Sequence, residues 1–140
     1  MEPFVFLEHT ADVLFEAHGF SFEEALQNAA AAMFSTIAKV DELGELKRSR
    51  VEERAETLEE LAVYLLSDLL AESESREVFF KKFVVEKFEK KDGGYSATGM
   101  AFGEPMTPEK GAAHVKAVTM HEAKVSQEGN LWKIRVLLDV

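Results

Sequence analysis

The sequence predicts an α+β fold in which two amphipathic helices pack on a largely antiparallel β-sheet. Capping boxes at Ser21 and Thr57 each precede an apolar pattern of helical period. Short apolar or alternating segments, which favour strands, fill most of the remaining chain. A chain of 140 residues buries roughly 68% of its unfolded surface, which is enough for one core. We therefore expect a single domain over residues 1–140.

The first third of the chain predicts two strands and a helix. Residues 4–7 form a short apolar run, and residues 13–18 alternate in polarity, so both segments favour strands. Ser21 is the predicted N-cap of the first helix, with the Glu24 side chain reaching back to its amide. Behind Ser21 the apolar residues recur at helical spacing to about residue 38: Phe22, Leu26, Ala29, Met33 and Ile37.

The middle of the chain predicts an edge strand, a second helix and a hairpin. Residues 41–44 indicate a turn, and the highly charged residues 46–56 indicate an edge strand with one solvated face. Thr57 is the predicted N-cap of the second helix, whose apolar stripe should fade by residues 73–75. This stripe consists of Leu58, Leu61, Ala62, Leu65 and Leu69. Strands over residues 79–88 and 95–102 are joined by the turn signal Asp92-Gly93-Gly94.

The last third predicts a loop followed by two strands. Residues 103–113 hold two of the three prolines and indicate a connecting loop with one helical turn after Pro108. Strands are expected over residues 114–125 and 131–140. In the final strand Trp132, Ile134, Val136 and Leu138 share one face, and Lys133, Arg135 and Asp139 point the other way.

The net charge of −10 is unevenly distributed along the chain. Residues 1–77 hold 18 acidic and 6 basic side chains, a charge of −12, whereas residues 78–140 hold 8 acidic and 10 basic, a charge of +2. Because an acidic surface repels phosphates, strong direct binding to nucleic acid is not expected. A basic protein partner or a cation fits this charge better.

Several chemistries are excluded by residues or motifs that the chain lacks. With no cysteine, it has no disulfide, thiol nucleophile or thiolate metal site. The phosphate loop and the common dinucleotide, zinc-protease and serine-hydrolase motifs are absent from the sequence. With no long apolar run and no basic leader, we expect a cytoplasmic protein that does not bind membranes.

The histidines do not predict a zinc site. The sequence contains His9, His18, His114 and His121. His114 and His121 are seven residues apart on the expected strand, so they point to opposite faces unless a bulge intervenes. Ordinary polar or surface histidines are therefore the expected interpretation.

Asp12 and Asp139 are the carboxylates with the most informative surroundings. Each lies beside apolar residues, where a carboxylate needs a cation, an amide or a basic side chain. Brought together, they form an oxygen site suited to Ca²⁺ or Mg²⁺. The alternative is that Asp12 is a turn or cap residue and Asp139 an exposed chain end. Lys116 is either an outward residue of a half-buried strand or a cation placed to bind an acidic group.

Three segments carry a family resemblance, and they occur in the family's order. They are Glu8-His9-Thr10-Ala11-Asp12, Val115-Lys116-Ala117-Val118-Thr119-Met120-His121 and Val136-Leu137-Leu138-Asp139-Val140. With the two helices between them, the sequence resembles the archease family over essentially the whole chain. The resemblance implies a non-catalytic partner of the RNA-splicing ligase that joins tRNA halves, one that promotes ligase guanylylation and multiple turnover.

The resemblance also implies roles for particular residues. It assigns Asp12, Asp139 and the main-chain oxygen of Val140 to a site for Ca²⁺ or another hard divalent cation. Lys116 matches the lysine of the family's VKA[VI]T strand, and with His9 and His121 it is expected to contact the ligase or its nucleotide.

Two departures and two alternatives accompany this resemblance. Met120 stands where many members have an aromatic residue, and His114 stands where several have an acid, so His114 receives no metal role. One alternative function is a chaperone-like partner of RNA-modifying enzymes such as a tRNA methyltransferase. The other is a small metal-dependent hydrolase using Asp12, Asp139 and His121, against which the missing nucleophile and phosphate-loop motifs argue.

Overall fold

Two helices and two antiparallel sheets form the fold, as the predicted α+β class requires. The structure, a computed structural model, describes residues 1–9 and 11–140. The strands are β1 (Phe4–Leu7), β2 (Val13–Gly19), β3 (Lys47–Ala55), β4 (Val78–Lys91), β5 (Gly94–Pro105), β6 (Ala117–Glu128) and β7 (Leu131–Asp139). The helices are α1 (Phe22–Ile37) and α2 (Leu58–Arg76), with short 3₁₀ turns at Val40–Glu42 and Pro108–Lys110.

The strands divide into a four-stranded sheet of order β1-β2-β7-β6 and a three-stranded sheet of order β3-β5-β4. The predicted edge position of the charged strand is confirmed, because β3 pairs only with β5. The Asp92-Gly93 turn joins β4 to β5, and both residues have positive φ, at 53° and 77°. No helix in the described part of the chain combines the length and apolarity that crossing a membrane requires.

Both helices begin at the predicted caps, although each acidic partner bonds differently from the expectation. The Ser21 hydroxyl accepts from the Glu24 amide at 3.0 Å, while the Glu24 carboxylate accepts from the amide of Phe20 at 2.8 Å. In α2 the Thr57 hydroxyl accepts from the Glu60 amide at 3.1 Å and donates to the Glu60 carboxylate at 3.0 Å. The two boxes thus fix both helix starts.

Helix α2 continues beyond the point where its apolar stripe was expected to fade. It runs to Arg76 because Ser73 faces inwards, buried, and donates its hydroxyl hydrogen bond to the carbonyl of Val78 at 2.5 Å. The chain then turns through Glu77, which has a left-handed φ of 55°. A polar residue that finds a local acceptor can therefore extend a helix past the end of its apolar pattern.

The main core lies between the two helices and one face of each sheet. From the four-stranded sheet it takes Phe15, Ala17, Ile134, Val136 and Leu138. From the helices it takes chiefly Leu26, Ala29, Met33, Leu61, Leu65, Leu66 and Leu69. The predicted partition of β7 is confirmed, since its even-numbered residues enter the core and Lys133, Arg135 and Asp139 lie on the opposite face.

The predicted strand over residues 114–125 corresponds to β6, but β6 begins three residues later and contains an irregularity in its middle. Residues 112 and 113 instead donate backbone hydrogen bonds to the end of α1, so β6 begins only at Ala117. Further along, Thr119 pairs with Leu137 and Lys124 with Arg135, so β6 passes through residues 120–123 while β7 passes through one. We call residues 120–123 the β6 excursion. The predicted loop also starts too early, since residues 103–105 belong to β5.

The stability of the fold should depend on the protonation of Asp68 in α2. Burial, a hydrogen bond with Glu53 of β3 and the charges of Glu53 and Glu72 raise the pKa of Asp68 to about 7, from a usual value of 3.8. A raised carboxyl pKa means that the stabilising contribution is present below about pH 4 and is lost as the pH rises through about 7. Asp68→Asn cannot ionise, so its Tm should exceed the wild-type Tm at pH 8 and match it at pH 4.

Thermal denaturation at the two pH values measures this difference. Asp41→Asn, at an exposed position outside the helices, is the matched control and should leave the Tm unchanged at both. Equal Tm values for Asp68→Asn and wild type at pH 8 would contradict the prediction.

Candidate functional site

The register of β2 and β7 brings Asp12 and Asp139 to the same end of the four-stranded sheet. Val13 pairs with Leu138 in the last recorded step of this antiparallel ladder. Asp12 directly precedes Val13 in the chain, and Asp139 directly follows Leu138. The structure thus brings the two residues that the sequence singled out to one end of the sheet, although they come from opposite ends of the chain.

Asp139 lies on the face of the sheet away from the main core. We call this the outer face; it carries Leu14, Glu16 and His18 of β2 and Lys133, Arg135 and Leu137 of β7. The assignment follows from the alternation of side chains along the strands, because Phe15 and Val136 on the other face belong to the core. Asp12 and Asp139 are each half-buried, so a cation bound there would be reached from solvent.

Lys116 and Val140 reach the same end of the sheet from β6 and β7. The backbone amide of Lys116 donates to the carbonyl of Asp139 at 2.7 Å, which extends the ladder that begins at Ala117. The Lys116 side chain is exposed. The Val140 side chain packs against the core, and this contact fixes the main-chain oxygens beside Asp139. One ammonium group, two carboxylates and main-chain oxygens are therefore available at this end.

The donor set at this end fits a hard divalent cation. Carboxylate and main-chain oxygens are the ligands that Ca²⁺ and Mg²⁺ prefer. Among residues 1–9 and 11–140 there is no cluster of three or more His, Asp or Glu side chains arranged to hold a metal ion. With two carboxylates, the remaining ligands of any bound ion would be main-chain oxygens and water.

Two of the predicted contact histidines lie on segments next to this end of the sheet, and His114 does not. His9 follows β1, and its Nε2 lies 3.2 Å from a carboxylate oxygen of Glu122. His121 is an exposed residue of the β6 excursion. His114 precedes β6 and lies near Glu74 of α2, so the expected opposition of His114 and His121 on one strand does not apply. Thr10 of the opening motif lies outside the described residues.

A second group of charged side chains on the outer face was not predicted from the sequence. Burial raises the pKa of Glu16, but a hydrogen bond and charge from His18 and the charges of Lys133 and Arg135 lower it more, so the pKa lies below its usual value. His18 Nε2 lies 3.0 Å from the Glu16 carboxylate, and its Nδ1 lies 3.0 Å from the carbonyl of Glu2. Only the alternation along β2 could have placed Glu16 and His18 together in advance.

The fold and the charged groups at the end of the four-stranded sheet define a class of small α+β proteins. In this class, charged side chains from both ends of the chain lie at one end of a sheet. The model of the Archease protein family (MTH1598/TM1083) matches residues 4–140. The chain belongs to the archease family.

Relatives of nearly the same length support this assignment. The protein archease of Methanosarcina mazei is 37% identical over 141 aligned positions, covering 99% of this chain and 97% of the relative. That of Methanothermobacter thermautotrophicus is 36% identical, with 100% of both chains covered.

Solved structures agree with the fold. The solution structure of Methanobacterium thermoautotrophicum protein 1598 superposes with a TM-score of 0.88 at 36% identity, covering 100% of both chains. A crystal structure from Thermotoga maritima, described as an archease and possible chaperone, gives a TM-score of 0.58 at 21% identity. It covers 96% of this chain and 94% of that one, and at this identity it supports the fold alone.

Proposed function

We propose that this protein is a non-catalytic, divalent-metal-binding activator of the tRNA-splicing RNA ligase. In this role it promotes guanylylation of the ligase and lets the ligase act over many turnovers in the cytoplasm. The observation that supports the proposal is that Asp12, Asp139 and Lys116 lie at one end of the four-stranded sheet, in a chain that belongs to the archease family. These are the residues to which the family resemblance assigns the cation site and the partner contact.

In this proposal the residues of the site divide into two roles. Asp12, Asp139 and the main-chain oxygen of Val140 would hold the cation, with the two carboxylates supplying the negative charge. A bound Ca²⁺ would supply a compact positive charge and open coordination positions for acidic groups or phosphate oxygens. Lys116 is exposed beside the carboxylates, so its ammonium group is free to approach an acidic group of the ligase or its nucleotide.

The rest of the chain supports a protein partner rather than catalysis by this chain itself. The charge of −12 over residues 1–77 favours association with a basic protein surface and opposes binding of bare RNA. The sequence contains no cysteine and none of the common phosphate-loop or serine-hydrolase motifs. The sequence therefore offers no recognised catalytic motif to accompany the cation site.

The proposal is tested by mixing the protein at sub-stoichiometric concentration with the tRNA-splicing ligase and measuring guanylylation and product per ligase. Wild type should raise both. Lys116→Ala should reduce the stimulation about tenfold because one close charge contact with the partner is lost. Calorimetry should give the same Ca²⁺ affinity for Lys116→Ala as for wild type.

Lys91→Ala is the matched control, since it removes the same charge from the exposed β4–β5 hairpin of the other sheet. It should stimulate as wild type does. No stimulation of the ligase by wild type, together with co-purification of a tRNA methyltransferase, would replace the proposal with the chaperone-like alternative. Full stimulation by Lys116→Ala would overturn the role of that residue alone.

A further inference from the structure

Two leucines on the outer face are buried where solvent is expected. Leu14 and Leu137 are 6% and 3% exposed, yet neither belongs to a core cluster of the described residues. They pair with each other across β2 and β7, and Leu7 of β1 and Thr119 of β6 complete the row across the sheet. Since both helices pack against the opposite face, another part of the chain must cover this row.

A contact between His9 and Glu122 identifies the covering segments. His9 belongs to the connection between β1 and β2, and Glu122 belongs to the β6 excursion. Their side chains approach to 3.2 Å, although β1 and β6 are the two opposite edges of the sheet. Neighbouring strands are about 4.8 Å apart, so the three intervals between these edges span about 14 Å. Because both helices cover the opposite face, the contact places the two segments on the outer side of the sheet.

We infer that His9 and Glu122 close a strap over the outer face, and that this strap positions Asp12 for cation binding. The strap consists of residues 8–9 and 11–12 together with the β6 excursion. The inference rests on the proposed function, because it concerns the same cation site. It adds Glu122, which the family resemblance does not single out, and it changes the role of His9 from partner contact to positioning residue.

The position of Asp12 in the chain explains why it needs such a strap. Asp12 lies one residue before β2 and three residues after His9, and residues 8, 9 and 11 of the same connection are exposed. Ordering a free loop on a ligand costs conformational entropy, which lowers the affinity for the ligand. Asp139 needs no such support, because it is already inside β7 and bonded to Lys116. The strap therefore removes the ordering cost from the one carboxylate that would bear it.

Calorimetric Ca²⁺ titrations and hydrogen exchange of the intact protein test the inference. Glu122→Ala should weaken Ca²⁺ binding about threefold to fivefold, the effect of losing one partly exposed charge pair. It should also speed amide exchange at residues 8–12 in the metal-free protein. His9→Ala should do the same, and the double variant should be no weaker than either single variant, because both changes break one contact. Glu122→Gln keeps a hydrogen-bonding group opposite His9 and should recover part of the affinity.

Glu74→Ala is the matched control, because Glu74 lies 3.9 Å from His114 in a histidine–carboxylate pair that includes no residue of the strap. It should change neither affinity nor exchange at residues 8–12. The variant Asp12→Asn distinguishes a failure of the proposed cation site from a failure of the strap. If Asp12→Asn binds Ca²⁺ as wild type does, the proposed cation site is wrong. If Asp12→Asn loses binding while Glu122→Ala retains wild-type affinity, the site stands and the strap is overturned.

Discussion

Asp139→Asn is expected to weaken Ca²⁺ binding by about 100-fold and to abolish stimulation of the ligase, without unfolding the protein. The affinity of a calcium site depends on the number of charged ligands, and this site has only two carboxylates among the described residues. Asn keeps the size of the side chain and one oxygen but removes the charge. Asp12→Asn should have the same effect, because in the proposed site it removes one of the same two charged ligands.

The difference in stability between Asp139→Asn and wild type should change sign when Ca²⁺ is added. Like charges directly opposite on a sheet destabilise it, so Asp139→Asn should unfold at a higher temperature than wild type in the presence of a chelator. In excess Ca²⁺ the order should reverse, because wild type gains binding free energy that the variant lacks. Thermal denaturation with and without chelator measures both, and guanylylation assays measure the loss of stimulation.

Asp92→Asn is the matched control, because it makes the same change in net charge at the exposed β4–β5 turn. The backbone φ of 53° at this position suits Asn as well as Asp. It should behave as wild type in all three measurements. If Asp139→Asn lowers the unfolding temperature equally with and without Ca²⁺, Asp139 is a structural residue and the cation site is wrong.

The parts of the fold that follow local rules could be predicted from the sequence. The capping boxes at Ser21 and Thr57 and the turn at Asp92-Gly93 each depend on a few neighbouring residues, and all three occur where predicted. Alternation along β7 correctly separated its core face from its outer face, because a strand has a fixed side-chain period.

The features that escaped prediction depend on partners distant in the chain. The sequence allowed a bulge between His114 and His121 without locating it, and only the pairing of β6 with β7 and the contact between Glu122 and His9 reveal the β6 excursion. The start of β6 was misplaced because residues 112 and 113 bond to α1 instead. That Asp12 and Asp139 reach the same end of the sheet depends on the register of two strands from opposite chain ends, which local patterns do not fix and which only the family resemblance indicated.

Gly103→Ala is expected to lower the free energy of unfolding by about 3 kcal/mol, the upper range for forcing an atom into a packed site. Gly103 lies in β5, the central strand of the three-stranded sheet, where it pairs with Lys47 and Phe80. A Cβ there would overlap the carbonyl oxygen of Phe79 and lie 2.7 Å from the Cα of Phe80. Both obstacles are backbone atoms, so the strand itself would have to move.

Gly103→Ala should change the stability of the protein without changing the cation site, because Gly103 lies in the other sheet. For a chain of this size the expected loss corresponds to a fall in Tm of about 10 °C. Gly44→Ala is the control, because its Cβ would meet no atom closer than the Glu104 carboxylate at 3.5 Å. The folded Gly103→Ala protein should still bind Ca²⁺ with wild-type affinity. A Tm within about 3 °C of wild type, on the same scale, would contradict the close approach of β4 and β5.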